Sequence, residues 1–278
     1  MLNRTAYLPL TTYPDVVPDE SILAAVRFAE VLNCTLRVTA FAVDIPRLAS
    51  PFGDLLLDVP SLVHTAEERS RADCRRLLNM VKEAARPSLK PECVTKEIVL
   101  GAAQQTAAYE ARYFDFALLP WAAKTIAAQD MAQTVAFGSG RPVFLIPPLA
   151  KPAPLEHIAI AWDGSRVAAR AMWDALPFLR KGGHVSVLTV RDEKKLSEPD
   201  LARKLATYLE KRDIKAEAFN MTLQNRTIAQ ALQEVAIEKG AQLLVMGGFG
   251  HSRVRDFFLG GATGGILEDL HLPVLLSH

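Results

Sequence analysis

Cysteine is scarce: Cys34, Cys74 and Cys93 are the three in 278 residues, all in the first half and none at C-x-x-C spacing. That spacing argues against a zinc site or a disulfide framework. The thiols read as reduced, in a bacterial-type cytoplasm, with a single redox-sensing cysteine as the other reading. Long apolar runs are missing too, since Pro, Gly, Thr or Gln interrupts every charge-free stretch before the ~20 residues a spanning helix needs. Met1-Leu2-Asn3-Arg4-Thr5 leads straight into strand-like sequence with no apolar signal core, so a cytoplasmic protein is expected, with no membrane partner. No sign of charge dominates: 15 basic against 16 acidic residues through Ala150, and 17 against 15 beyond it. Neither half is basic enough to make nucleic acid the expected partner. His64, His157, His184, His271 and His278 have no i, i+4 partner histidine and no thiol neighbour, which disfavours a metal centre.

What remains is an ordinary globular composition, 50% hydrophobic and 23% charged. At this length two domains are the first expectation. The chain also repeats itself. Arg141-Pro142-Val143-Phe144-Leu145-Ile146-Pro147 echoes Leu272-Pro273-Val274-Leu275-Leu276-Ser277-His278, each a proline-led apolar strand closing a half. Phe116-Ala117-Leu118-Leu119 echoes Leu243-Leu244-Val245-Met246, and the strand at 35–44 echoes 184–192. The second half reads as strand 157–162, helix 166–179, strand 184–190, helix 200–212, strand 216–222, helix 226–239, strand 243–246, helix 254–270 and strand 273–277. Such alternation predicts a doubly wound parallel sheet, and its repetition predicts two tandem α/β domains. The expected division is 1–147, a proline-rich linker at 148–155, and 156–278. A stretch at 47–60, before a long helix near 62–85, is read as a surface insertion or a lid. The two closing strands are expected to meet antiparallel across a pseudo-two-fold axis, an intrachain pseudo-dimer, because each would otherwise expose an edge. Assembly into a homodimer is a further expectation.

Glycine is unevenly spread. Residues 1–150 contain four, and seven of the other eleven lie between Gly247 and Gly265. A glycine-rich segment leaving a parallel strand and entering a helix suits phosphate oxygens, because it permits positive φ and close approach of backbone N–H groups. The alternative is a flexible connection with no ligand. The segment contains neither G-x-x-x-x-G-K-[ST] nor G-x-G-x-x-G.

Its spacing of Gly247, Gly250 and, nine residues on, Gly260 resembles the nucleotide-binding signature of the universal stress protein family. Val245-Met246-Gly247, Pro273-Val274-Leu275-Leu276 and Ile160-Ala161-Trp162-Asp163-Gly164-Ser165 resemble that family's fourth strand, last strand and first strand with its turn. The likeness is specific over 157–278 and looser over 1–147. It implies Rossmann-like domains of the adenine nucleotide alpha hydrolase-like kind, binding ATP or another adenine nucleotide, with or without Mg2+. It further implies Asp163 beside the ribose or adenine, Val190 holding the adenine edge through its backbone, and Gly247, Gly250, Gly260, Gly261, Ala262 and Thr263 around ribose and phosphates. Gly261 departs from the family, which has Ser or Thr there. Arg253 is either a phosphate partner or a solvated loop residue, as are His251 and Arg255. Asp163 and Ser165 also suit helix N-capping, and Trp162 either flanks adenine or packs in the core.

The first half has Pro120-Trp121-Ala122-Ala123-Lys124 where the second has its glycines, and no Asp-Gly-Ser turn. It reads as a degenerate domain that supports its partner. No general base paired with a nucleophile stands near the glycine segment. Sensing or storage of ATP, signalled to an unknown protein partner, is therefore the expected function. A slow ATP hydrolase and an interaction scaffold without nucleotide are the alternatives.

Overall fold

A computed structural model describes residues 4–46, 58–122, 125–191, 200–248, 266 and 269–278. The first half runs β1 (Thr5–Thr11), α1 (Asp19–Leu32), β2 (Thr35–Asp44), α2 (Val59–Ala84), β3 (Glu92–Val99), α3 (Ala103–Ala111), β4 (Phe116–Pro120), α4 (Ile126–Gly138) and β5 (Val143–Ile146). The second half runs β6 (His157–Ala161), α5 (Arg166–Ala175), β7 (His184–Val190), α6 (Leu201–Glu210), β8 (Lys215–Met221), α7 (Ile228–Glu238), β9 (Leu243–Gly247) and β10 (Val274–Ser277). The strands form one ten-stranded sheet in the order β3-β2-β1-β4-β5-β10-β9-β6-β7-β8. Every neighbouring pair is parallel except β5 and β10, which run antiparallel through Leu145↔Val274, Phe144↔Leu275 and Val143↔Leu276. Each half thus has the same internal order, and the seam between them is the pair of proline-led closing strands.

The helices follow from their buried faces. Helices α1, α2, α5 and α6 cover one face of the sheet through Phe28, Leu77, Met172 and Leu205, among others. Helices α3, α4 and α7 cover the other through Ala107, Val135 and Leu232, joined by Ile266 and Leu270. Both core layers run without a break through the two halves, so central strands buried on both faces carry continuous apolar sequence. The outermost strands do not. β3 carries Glu92, Lys96 and Glu97, and β8 carries Lys215, Glu217 and Asn220, charged and polar residues that discourage pairing with another chain.

Two expected boundaries move. Helix α2 starts at Val59, a turn before the expected 62, because Asp58 caps it by accepting from Ser61 N and Pro60 sits in the first turn, where a missing N–H costs nothing. The 47–60 insertion is shorter for it, and residues 47–57 lie outside the described residues. Helix α5 ends at Ala175 rather than 179, since Pro177 cannot continue it, and Leu176–Phe178 forms a 3-10 turn instead. The expected helix 254–270 falls almost wholly outside the described residues; Ile266 is helical. Between Ile146 and His157 there is no helix or strand, yet Ala150 and Leu155 are buried in the core.

Candidate functional site

In an open α/β sheet, ligands bind at the carboxyl ends of strands where the winding reverses. In the second half that point lies between β6 and β9, with β7 beside β6. Two residues past the pair Ala161↔Leu188 on each strand lie Asp163 and Val190, and Gly247 closes β9 opposite Ser277 of β10. The structure therefore brings together Asp163, Val190 and Gly247, three positions separated by up to 84 residues in sequence. Gly250, Arg253, Gly260, Gly261, Ala262 and Thr263 lie outside the described residues, as do His251 and Arg255.

Asp163 and Ser165 divide the turn between them. Asp163 Oδ1 accepts from Ser165 N at 2.9 Å, and Ser165 Oγ accepts from Ala168 N at 3.2 Å. Ser165 is thus the N-cap of α5, and the half-buried Asp163 fixes the turn leading into it. Gly164 has φ 75°, the left-handed region that a side chain disfavours. The first turn of α5 contains Arg166 and no acidic residue, so the positive end of the helix dipole is not offset from within.

Gly247 is required by packing. A Cβ there would sit 2.6 Å from both Ala168 N and the Val167 carbonyl carbon. The end of β9 is pressed against the first turn of α5. This contact draws the start of the glycine-rich segment to the N-terminus of the helix that Asp163 and Ser165 shape.

Val190, the last residue of β7, is buried. Trp162 resolves toward the core: its side chain packs on the layer beneath α5 and α6, its backbone N–H donates to Leu188 O, and its carbonyl accepts from Thr189 Oγ1 at 2.7 Å. Sequence reading missed Ser277. Its hydroxyl is buried beside Gly247 with no hydrogen-bond partner among the described residues, and its carbonyl accepts from Gly248 N at 2.8 Å. A small polar residue ending an otherwise apolar strand was the available signal.

The first half lacks this arrangement. Pro120 ends β4 where Gly247 ends β9, and Ser21 Oγ, in the first turn of α1, donates to Trp121 O at 2.8 Å. The thiols are poorly suited to chemistry: burial raises Cys74 and Cys93 and pushes Cys34 up to about 12. Among the described residues no three His, Cys, Asp or Glu side chains cluster as metal ligands would, and no helix is long and apolar enough to cross a membrane.

Residues 154–278 match the Universal stress protein family. The second half of this chain is a domain of that family. Over its whole length the chain is similar in fold to a universal stress protein from Archaeoglobus fulgidus DSM 4304, with 15% identity, a TM-score of 0.70, and 98% of this chain and 95% of the other covered. It is also similar to a putative universal stress protein from Pseudomonas aeruginosa UCBPP-PA14, at 14% identity and TM-score 0.54, covering 99% and 93% of the two chains. None of the curated proteins matches it in sequence. The structure is thus a tandem of two Rossmann-like α/β units.

Proposed function

We propose that the protein is a cytoplasmic stress-response protein that binds one adenine nucleotide, ATP in the first instance, in its second half, and senses or signals rather than catalyses. The two units are residues 1–147 and 156–278, joined by 148–155. The observation that carries this reading is the convergence of Asp163, Val190 and Gly247 on neighbouring strand ends at the winding reversal. The residues fit the ligand: the α5 N-terminus has no acid in its first turn, and Gly247 lets the glycine-rich segment start against it. Val190 offers a backbone edge to the adenine, Asp163 a carboxylate to the ribose or adenine, and Gly250, Gly260, Gly261, Ala262 and Thr263 backbone donors and a hydroxyl to ribose and phosphates, with Arg253 as a charged partner. Bound Mg2+ would neutralise phosphate charge. With Gly261 in place of a hydroxyl residue, one phosphate hydrogen bond is absent, which weakens binding by about 0.5–1.5 kcal/mol.

The test is mass spectrometry of nucleotide released from protein denatured directly after purification, followed by calorimetric titration with ATP. One adenine nucleotide per chain, lost in the Gly250→Val, Gly260→Val double variant, supports the reading. Two equivalent sites, or one site that survives both substitutions, overturns it.

A further inference from the structure

Helices α5 and α6 cover the same face of the sheet, and Trp173 of one meets Tyr208 of the other edge-on, ring centres 6.3 Å apart. Arg212, just past the end of α6, lies over both rings, at 4.8 and 5.0 Å from their centres. Even so, Trp173 is 45% exposed and Tyr208 38%. The rings are held without being covered. We propose that this surface docks an acidic segment of a partner protein, which lays an apolar side chain on Trp173 and its carboxylates along the flanking cations.

Helical spacing places the cations. Arg166, Arg170 and Trp173 stand at i, i+4 and i+7 on one stripe of α5, and Lys204, Tyr208 and Lys211 repeat that spacing on α6 and its cap. All six are exposed. Across 166–175 and 201–213 there are six basic residues against three acidic ones, and one of the three, Asp174, is already held by Arg170 at 2.8 Å. The surplus is local to this half. Helices α1 and α2, on the same face in the first half, have six basic against seven acidic residues in 19–32 and 59–84 and expose no Trp, Tyr or Phe. Exposed Trp and Tyr beside Arg are the residue types that dominate binding energy at protein interfaces, and rings fixed before a partner arrives lose little freedom on binding. Glu210 and Asp213, close in the chain to Tyr208 and Arg212, oppose the evenly charged phosphates of a nucleic acid, whereas a protein segment can space its carboxylates around them. The first turn of α5 is pressed against Gly247, so a segment on its outer side touches the helix that shapes the nucleotide crevice. The surface thus supplies the partner for the proposed signalling and rests on that reading for its purpose, though not for its binding.

The experiment follows the indole N–H signals of the three tryptophans in the full chain by NMR, at low salt and without nucleotide, so that its failure leaves ATP binding untouched. The probes are the peptide Glu-Asp-Glu-Leu-Phe-Glu-Asp-Glu, its uncharged counterpart Gln-Asn-Gln-Leu-Phe-Gln-Asn-Gln, and oligothymidylate. The acidic peptide should saturably shift the Trp173 signal, assigned by its loss in Trp173→Phe, and leave those of the buried Trp121 and half-buried Trp162 in place. The uncharged peptide should bind about fivefold more weakly, the scale of exposed charge pairs. Arg170→Gln with Lys211→Gln should weaken the acidic peptide by a similar factor, and Trp173→Ala should abolish its binding, read on the backbone amides of α6. No saturable shift of the Trp173 signal, equal affinity for the two peptides, tighter binding of oligothymidylate than of the acidic peptide, or full binding by Trp173→Ala overturns the proposal.

Discussion

The imidazole of His157 stacks on that of His184, ring centres 3.7 Å apart, at the amino ends of β6 and β7. His157 is buried, its Nε2 lies 2.8 Å from Ser186 Oγ, and the ring is hydrogen bonded to the Lys239 backbone. Burial lowers its affinity for a proton, and the neighbouring His184 lowers it further, against weaker raising by the Lys239 backbone bond and Glu217. The folded state therefore holds His157 neutral at pH values where the unfolded chain, titrating near 6.5, takes up a proton. The stabilisation is complete above pH 6.5 and is lost as pH falls from there toward the lower folded value. Urea midpoints should drop between pH 7.5 and 5.5, and His157→Phe should flatten that slope whatever its own stability. A slope unchanged in the variant would assign the acid sensitivity elsewhere.

Adjacent glycines at the end of β9 should respond differently. At Gly247 an added Cβ meets backbone atoms of α5 at 2.6 Å, whereas at Gly248 the nearest atom is Ser277 O at 3.6 Å, ordinary contact. Gly247→Ala must push the strand end off the helix, at about 1–3 kcal/mol for overpacking, and should weaken nucleotide binding by shifting the N-terminus of α5. Gly248→Ala should leave stability within about 0.5 kcal/mol. Chemical denaturation of both variants, with ATP titration, distinguishes them; equal effects would mean the α5 contact does not matter.

Much of this was legible because burial dictates sequence. The alternating apolar runs of the second half gave β7 at His184–Val190 without error, and the proline-led echo of 141–147 in 272–278 foretold the antiparallel seam. Helix ends were less legible. Asp58 and Pro60 together start α2, but a proline in isolation reads as loop. The site was half legible. Asp163 and Ser165 each allowed a cap and a ligand, and only the three-dimensional turn shows that Ser165 caps while Asp163 braces it. The reason for Gly247 was hidden, since the atoms that crowd it belong to a helix about 80 residues earlier.

The halves are joined by aromatic rings as well as by strands. Phe178, in the 3-10 turn of the second half, meets Phe116 and Phe144 of the first edge-on at 5.1 and 5.0 Å, and the Arg4 guanidinium lies 4.5 Å over its ring. Arg4 also donates to Pro177 O. Phe178 is half-buried, so Phe178→Ala should cost about 2 kcal/mol, below the range for a fully buried ring. Because both core layers run through the seam, unfolding should remain a single transition at a lower midpoint. A separate early transition for one half would show that the halves are energetically independent.

The last expectation concerns turnover: ATP should be hydrolysed slowly or not at all. Fast phosphoryl transfer needs an aligned water, charge neutralisation by Mg2+ or lysine, and an arginine set against the transferring group. The segment from Gly247 through Gly265 contains no lysine, and its two arginines are Arg253 and Arg255. Asp163, just past the end of β6, already uses Oδ1 to hold the turn through Ser165 N, which restrains it from swinging toward a water. Backbone donors hold ground and transition states about equally, and uniform binding does not raise turnover. Steady-state phosphate release from protein freed of contaminating ATPases should fall far below the ~1 to 100 s⁻¹ of kinases. A rate above ~1 s⁻¹ that vanishes in Asp163→Ala, with nucleotide still bound, would make the protein an enzyme and Asp163 its base.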